Sequence, residues 1–196
     1  MSFKRFTTTL LAVIALPGAA FAHPGHSDAI GFTLGFMHPL GGLDHMLAMV
    51  AAGLYAAQLG RRALWALPLA FVAAMTAGGA FGYVGYAVPM VEQGIALSVI
   101  AMGAAIALGL KLPALAAGSL VALFAVFHGV AHGSEGASAA SFVPYAAGFV
   151  LATMMLHLTG IMLGSAIQSL QTRRTLALSR IAGGIGIAAG AALLMS

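Results

Sequence analysis

The chain has 196 residues, of which 61% are hydrophobic and only 6% charged, with a mean hydropathy of +1.04. A water-soluble domain carries about 25% charged residues, so this composition excludes one and points to an integral membrane protein. The net charge of +4 comes from a few basic residues at the ends of apolar runs, where they set topology and do not form a nucleic-acid surface; the absence of cysteine excludes disulfides, thiolate metal sites and thiol catalysis.

Residues 1–22 contain the three parts of a secretory signal: Lys4 and Arg5, an apolar run from Leu10 to Leu16, and Ala20-Phe21-Ala22 as a cleavage site. Cleavage would leave His23-Pro24-Gly25-His26-Ser27-Asp28 as the mature N-terminus, on the extracytoplasmic side. There His23, His26 and Asp28 read either as solvated residues or as a loose capture site. Six apolar spans follow, at 30–58, 64–87, 94–110, 114–132, 142–168 and 179–195. Each has roughly the 20 residues that a bilayer requires. The expected fold is therefore an all-α integral membrane protein, a six-helix bundle in one domain over 23–196. Short connections make sequence neighbours antiparallel neighbours in space.

The loop charges test this topology. An outside N-terminus places Arg61, Arg62, Lys111, Arg173, Arg174 and Arg180 after the first, third and fifth spans, on the cytoplasmic side. The remaining loops hold Glu92 and Glu135 and no Lys or Arg, as the positive-inside rule requires. The expected location is a bacterial inner membrane, with a periplasmic N-terminus. Glycine and alanine dominate the spans, as in Gly78-Gly79-Ala80-Phe81-Gly82, and let membrane helices pack backbone to backbone. These glycines form no phosphate-binding loop, because they lie within spans and follow no strand. Three spans followed by three would give halves of opposite orientation, the arrangement of an inverted repeat.

Chemistry concentrates in two patches. The first is His38-Pro39-Leu40-Gly41-Gly42-Leu43-Asp44-His45, inside the first span. Ionisable groups at that depth need partners or a function. On a continuous helix His38 and His45 fall almost on one line, while Pro39 and the glycines weaken the helix between them. No basic residue within the spans neutralises Asp44, so a metal ion or a proton is its natural counter-charge. The second patch is His128-Gly129-Val130-Ala131-His132-Gly133-Ser134-Glu135, at the outer end of the fourth span. Its two imidazoles and one carboxylate share a helical face and suit a borderline divalent cation such as nickel, cobalt or zinc. His157, near the middle of the fifth span, reads equally as hydrogen-bonded scaffold and as a ligand on a pathway. Met46 and Met49 read as packing first and soft ligands second.

At these two motifs the chain resembles the HupE/UreJ family, bacterial membrane proteins associated with hydrogenase and urease systems and regarded as secondary nickel or cobalt transporters. The resemblance covers the whole mature chain and implies that His38, Asp44 and His45 bind metal and are essential for transport. It adds His128, His132 and Glu135 as further ligands. It also implies a functional link to hydrogenase or urease maturation.

The resulting expectation is a permease, not an enzyme, that imports Ni²⁺ or Co²⁺ through an intramembrane His/Asp/Glu site. The ion is cargo and no permanent cofactor is needed; beyond the metal and the bilayer, no nucleic-acid partner is expected. The ion would lose water at the outer histidines and Glu135, then pass to His38, Asp44 and His45. Two other readings use the same residues: a membrane accessory protein that delivers nickel, and an intramembrane zinc-dependent hydrolase. A haem-binding cytochrome is disfavoured by the carboxylates among the histidines.

Overall fold

A computed structural model describes residues 26–136, 142–170 and 172–195, and for residues 26 and 27 the backbone only. The signal segment and His23 lie outside the described residues, and the side chain of His26 is not described. Seven helices are present among the described residues: α1 (His26–Gly41), α2 (Leu43–Leu59), α3 (Ala63–Tyr83), α4 (Val91–Ala107), α5 (Ala114–Gly136), α6 (Phe142–Gln168) and α7 (Thr172–Met195). The described residues thus form an all-helical membrane-type bundle.

Four of these helices, α3, α5, α6 and α7, are long and apolar enough to cross a bilayer. The expected first span at 30–58 is not one helix but two. α1 and α2 meet at an 80° bend and pass the same test only as a pair. Pro39 removes a backbone donor in the last turn of α1, and Gly42 then adopts an extended conformation, with φ −103° and ψ 121°. The expected third span corresponds to α4, which is apolar but has only 17 residues. Of the other spans, 142–168 coincides with α6, α3 stops at Tyr83 short of the expected 87, and two helices run past the expected limits: α5 continues to Gly136, so Glu135 is helical, and α7 begins at Thr172.

The principal packing pairs are α3 with α5, α4 with α7, and α6 with both α1 and α2. Lipid supplies little hydrophobic drive between helices, so close backbone approach must hold them. It does so on α5, where a Cβ at Gly129 or Gly133 would strike the facing carbonyl of Met75 or Gly79 on α3. Large apolar side chains, including Trp65, Leu115, Leu123, Met162 and Ile185, stay exposed on the outer faces, where a soluble protein would carry charge.

Functional groups separate by end. Asp44 and Glu92, at the starts of α2 and α4, line one cleft with Leu193 and Leu194 at the end of α7. Gln58, Lys111 and Arg180 gather at the opposite end of the bundle.

Candidate metal site

Helical periodicity fixes one half of the site. On α5, His128, His132 and Glu135 follow one another at four and three residues and point to the same side. The other half comes from the elbow: α1 delivers His38 from its last turn, and α2 delivers Asp44 and His45 from its first. Asp44 there accepts the His45 backbone N–H at 2.8 Å and places its negative charge at the positive end of the α2 dipole.

The two patches merge into one string of rings. His132 lies between His38 and His45, with ring centroids 4.7 Å and 4.3 Å away, and His45 is 5.2 Å from His128. Two groups of three potential ligands result, His38–His132–Glu135 and His45–His128–His132, each with its donor atoms within 4.8 Å of one another. They share His132. The first trio faces outward, with 35% of the His38 side chain and 54% of the Glu135 side chain exposed; the second is buried, and His128 is fully so. Glu135 Oε2 lies 3.0 Å from His38 Nε2 and 3.3 Å from His132 Nδ1.

Hydrogen bonding shows which nitrogens carry lone pairs. The Ser98 hydroxyl donates its single proton to the Ile95 carbonyl at 2.6 Å and so accepts, at 3.1 Å, from His128 Nε2–H. That tautomer leaves His128 Nδ1 as a bare acceptor, and it has no partner. Nε2 of His45 and Nε2 of His132 are likewise buried and unpartnered. The 2.6 Å approach of His45 Nδ1 to Asp44 Oδ1 is an ion-pair distance without hydrogen-bond alignment. Buried polar atoms are normally paired. His45 from α2 and His128 and His132 from α5 each carry an unpartnered buried nitrogen and each offer a donor atom within 4.8 Å of the others, the donor chemistry of a divalent cation site.

Aromatic walls limit water. Phe149 on α6 lies 4.3 Å from the His132 ring and Phe71 on α3 lies 5.5 Å from the His128 ring, centroid to centroid. An open cleft of about 440 Å³ at the elbow, lined by His38, Gly41, Gly42, Asp44 and His45 among others, leads from the surface to the rings.

The structure rearranges the roles expected from sequence. His38 and His45 do not lie along one helix, because the helix breaks between them. His38 groups with Glu135, and His128 belongs to the buried trio, so the two histidine patches are not successive outer and inner stations. Asp44 touches His45 but is in neither trio. His157 is also apart. Its Nδ1–H donates to the Thr153 carbonyl at 2.8 Å, and its ring packs 4.8 Å from Phe71, which also contacts His128. Of the two methionines, Met49 is fully buried and Met46 packs against the same core. Sequence reasoning missed Ser98, Phe71 and Phe149. Ser98 is a lone hydroxyl in an apolar helix, and nothing distinguishes the two phenylalanines from other core aromatics.

Comparison with known proteins gives a consistent result. A family model described as HupE / UreJ protein matches residues 11–193. Protein HupE of Rhizobium leguminosarum bv. viciae is 44% identical over 196 residues, covering 100% of both chains. No solved structure matches the chain.

Proposed function

The chain belongs to the HupE/UreJ family, and from that premise we propose that it is a secondary transporter importing Ni²⁺ or Co²⁺ across a bacterial inner membrane. The family is associated with nickel/cobalt transport or with hydrogenase- and urease-related function. One observation carries the transport reading: two trios of metal donors, one half-exposed and one buried, share the ring of His132. Imidazole nitrogens about 2.1 Å from an ion lie at most about 4.2 Å apart. Trios drawn within 4.8 Å therefore need only a small contraction to ligate. A single tight cage would hold its metal; two overlapping partial sites suit an ion that must leave.

In this reading Glu135 and His38 take the hydrated ion at the elbow cleft and His132 hands it to His45 and His128. Asp44 offsets its charge. His157, which also packs on Phe71, is the next donor inward. The chain crosses the membrane six times, with α1 and α2 as one broken crossing and α4 as the shortest, and its N-terminus is periplasmic after removal of the signal segment. No nucleotide-binding motif is present in the sequence. The membrane potential itself favours inward movement of a divalent cation by about 4–5 kcal/mol at 100 mV.

The test is ⁶³Ni²⁺ uptake into proteoliposomes, with and without an inside-negative potential, for wild type and His45→Ala. Uptake stimulated by potential and lost in the variant supports the permease. Stoichiometric binding without uptake would replace it with a metal-delivering accessory protein. Protein that binds neither nickel nor cobalt would exclude both.

A further inference from the structure

At the end of the bundle opposite the histidines, α2, α4 and α7 leave a cavity of about 500 Å³ that the transport reading does not use. Its polar lining is Gln58, Lys111, Gln168, Thr175, Ser179 and Arg180. None of the four carboxylates of the chain, Asp28, Asp44, Glu92 and Glu135, lines it. Two cations thus face one cavity without a lining acid.

Lys111 has a structural role as well. Its Nζ donates to the Gln58 carbonyl at 2.9 Å, in the last turn of α2, where a cation complements the helix dipole. That bond uses one of three ammonium donors. Helix capping does not explain the other polar atoms. Ser179 is 5% exposed and Gln58 8%, yet Ser179 Oγ and Gln58 Oε1 have no hydrogen-bond partner. A hydroxyl is a ready donor, and the Gln58 amide turned over presents N–H instead of oxygen. Arg180 adds an exposed guanidinium whose planar fork matches phosphate oxygens. Leu108 and Leu176 flank these groups with exposed apolar surface. Two lining cations disfavour a metal cation in this cavity.

We propose that this cavity binds a phosphate-bearing anion, held by Lys111, Arg180 and the buried Ser179 hydroxyl. Basic pockets between membrane helices suit phospholipid headgroups, and free phosphate offers the same oxygens. The site stands independently of what the histidines carry.

The experiment compares wild type, Arg180→Gln, Ser179→Ala and Arg173→Gln. Arg173 has the same charge as Arg180 but does not line the cavity. Each protein is placed in phosphatidylcholine nanodiscs alone, with added phosphatidylglycerol, or with added inorganic phosphate. Retained lipid is read by native mass spectrometry and ligand-induced stabilisation by the melting midpoint. We expect the wild type and Arg173→Gln to retain phosphatidylglycerol and to melt higher with it. Arg180→Gln and Ser179→Ala should lose that retention, by at least about tenfold for the arginine, since a charge-assisted hydrogen bond is involved. A response to inorganic phosphate and not to phosphatidylglycerol would keep the site and identify free anion as its ligand. Equal loss in Arg173→Gln would show a general surface-charge effect and overturn the proposal, as would no response in either anion arm.

Discussion

The site is built by two segments of opposite character. α5 is unbroken for 23 residues and is held against α3 by glycines that leave no room for a side chain. The α1–α2 segment is bent by 80° at a glycine and is lined on one side by an open cleft. Each presents histidine and carboxylate. The rigid partner fixes the spacing of His128, His132 and Glu135, while the broken partner can bring His38 and His45 to the same ring from different directions. A straight helix would place only one of its faces near α5 and could not enclose His132. In the proposed transport reading the difference separates tasks: α5 sets the spacing and the elbow supplies the remaining donors.

The first ways to break this arrangement remove one side outright. His45→Ala deletes the elbow's contribution to the buried trio and should reduce ⁶³Ni²⁺ uptake to background in protein that melts normally. Retained uptake would place the ion path elsewhere. Gly133→Leu attacks the other side. Its added side chain would meet the Gly79 carbonyl and push α5 from α3, and overpacking costs about 1–3 kcal/mol. The expected result is a lower melting midpoint together with weaker metal binding; an unchanged midpoint would mean that the seam is looser than the backbone contact indicates.

Two subtler tests leave both segments in place. Ser98→Ala removes the acceptor that fixes the His128 tautomer. Loss of such an outer partner lowers metal affinity by about 10–100-fold. Isothermal titration with Ni²⁺ would measure it, and unchanged affinity would exclude Nδ1 of His128 as a donor. Protonation acts through the lone pair. Only neutral imidazole can ligate, so uptake must be lost wherever the ligating rings become protonated. Uptake that persisted at a pH where ¹⁵N NMR shows those rings protonated would count against histidine ligation.

Legibility in the sequence follows the same division. On α5 the shared face of His128, His132 and Glu135 could be read from spacing, because periodicity holds wherever a helix is continuous. Across Gly42 the same rule put His38 and His45 on one line. Pro39 and the paired glycines announced a weakness there, but a weakness in sequence carries no angle. The membrane class was legible from composition, since few soluble folds tolerate so little charge. The pairing of α3 with α5 and of α2 with α6 was not, because glycine and alanine repeat in every span and mark contact without naming the partner. Nor could the merging of two patches into one string of rings be seen, as it depends on that pairing. His157 shows the limit for single residues. Its sequence context is the same whether it packs as scaffold or binds an ion, and the Nδ1–H bond to the Thr153 carbonyl fits both, since Nε2 is buried without a partner.

The smallest expected effect tests the elbow directly. Gly42 has φ −103° and ψ 121°, a conformation open to any residue, so alanine there introduces no backbone strain. Its Cβ would instead lie 2.7 Å from Asp44 Oδ1 and 3.0 Å from His45 Nδ1. Both are side-chain atoms that can turn away, so the fold should survive with its melting midpoint unchanged. What must shift is the geometry of one ligand and its counter-charge. Gly42→Ala should therefore weaken Ni²⁺ uptake by about two- to threefold, the size of a few tenths of a kcal/mol. If uptake were unchanged, the Asp44–His45 arrangement would not limit transport, and the elbow would matter only for bringing the two helices to α5. If uptake were abolished in folded protein, the cleft at Gly42 would be the ion's entry itself, since the added methyl narrows it where His38, Asp44 and His45 meet.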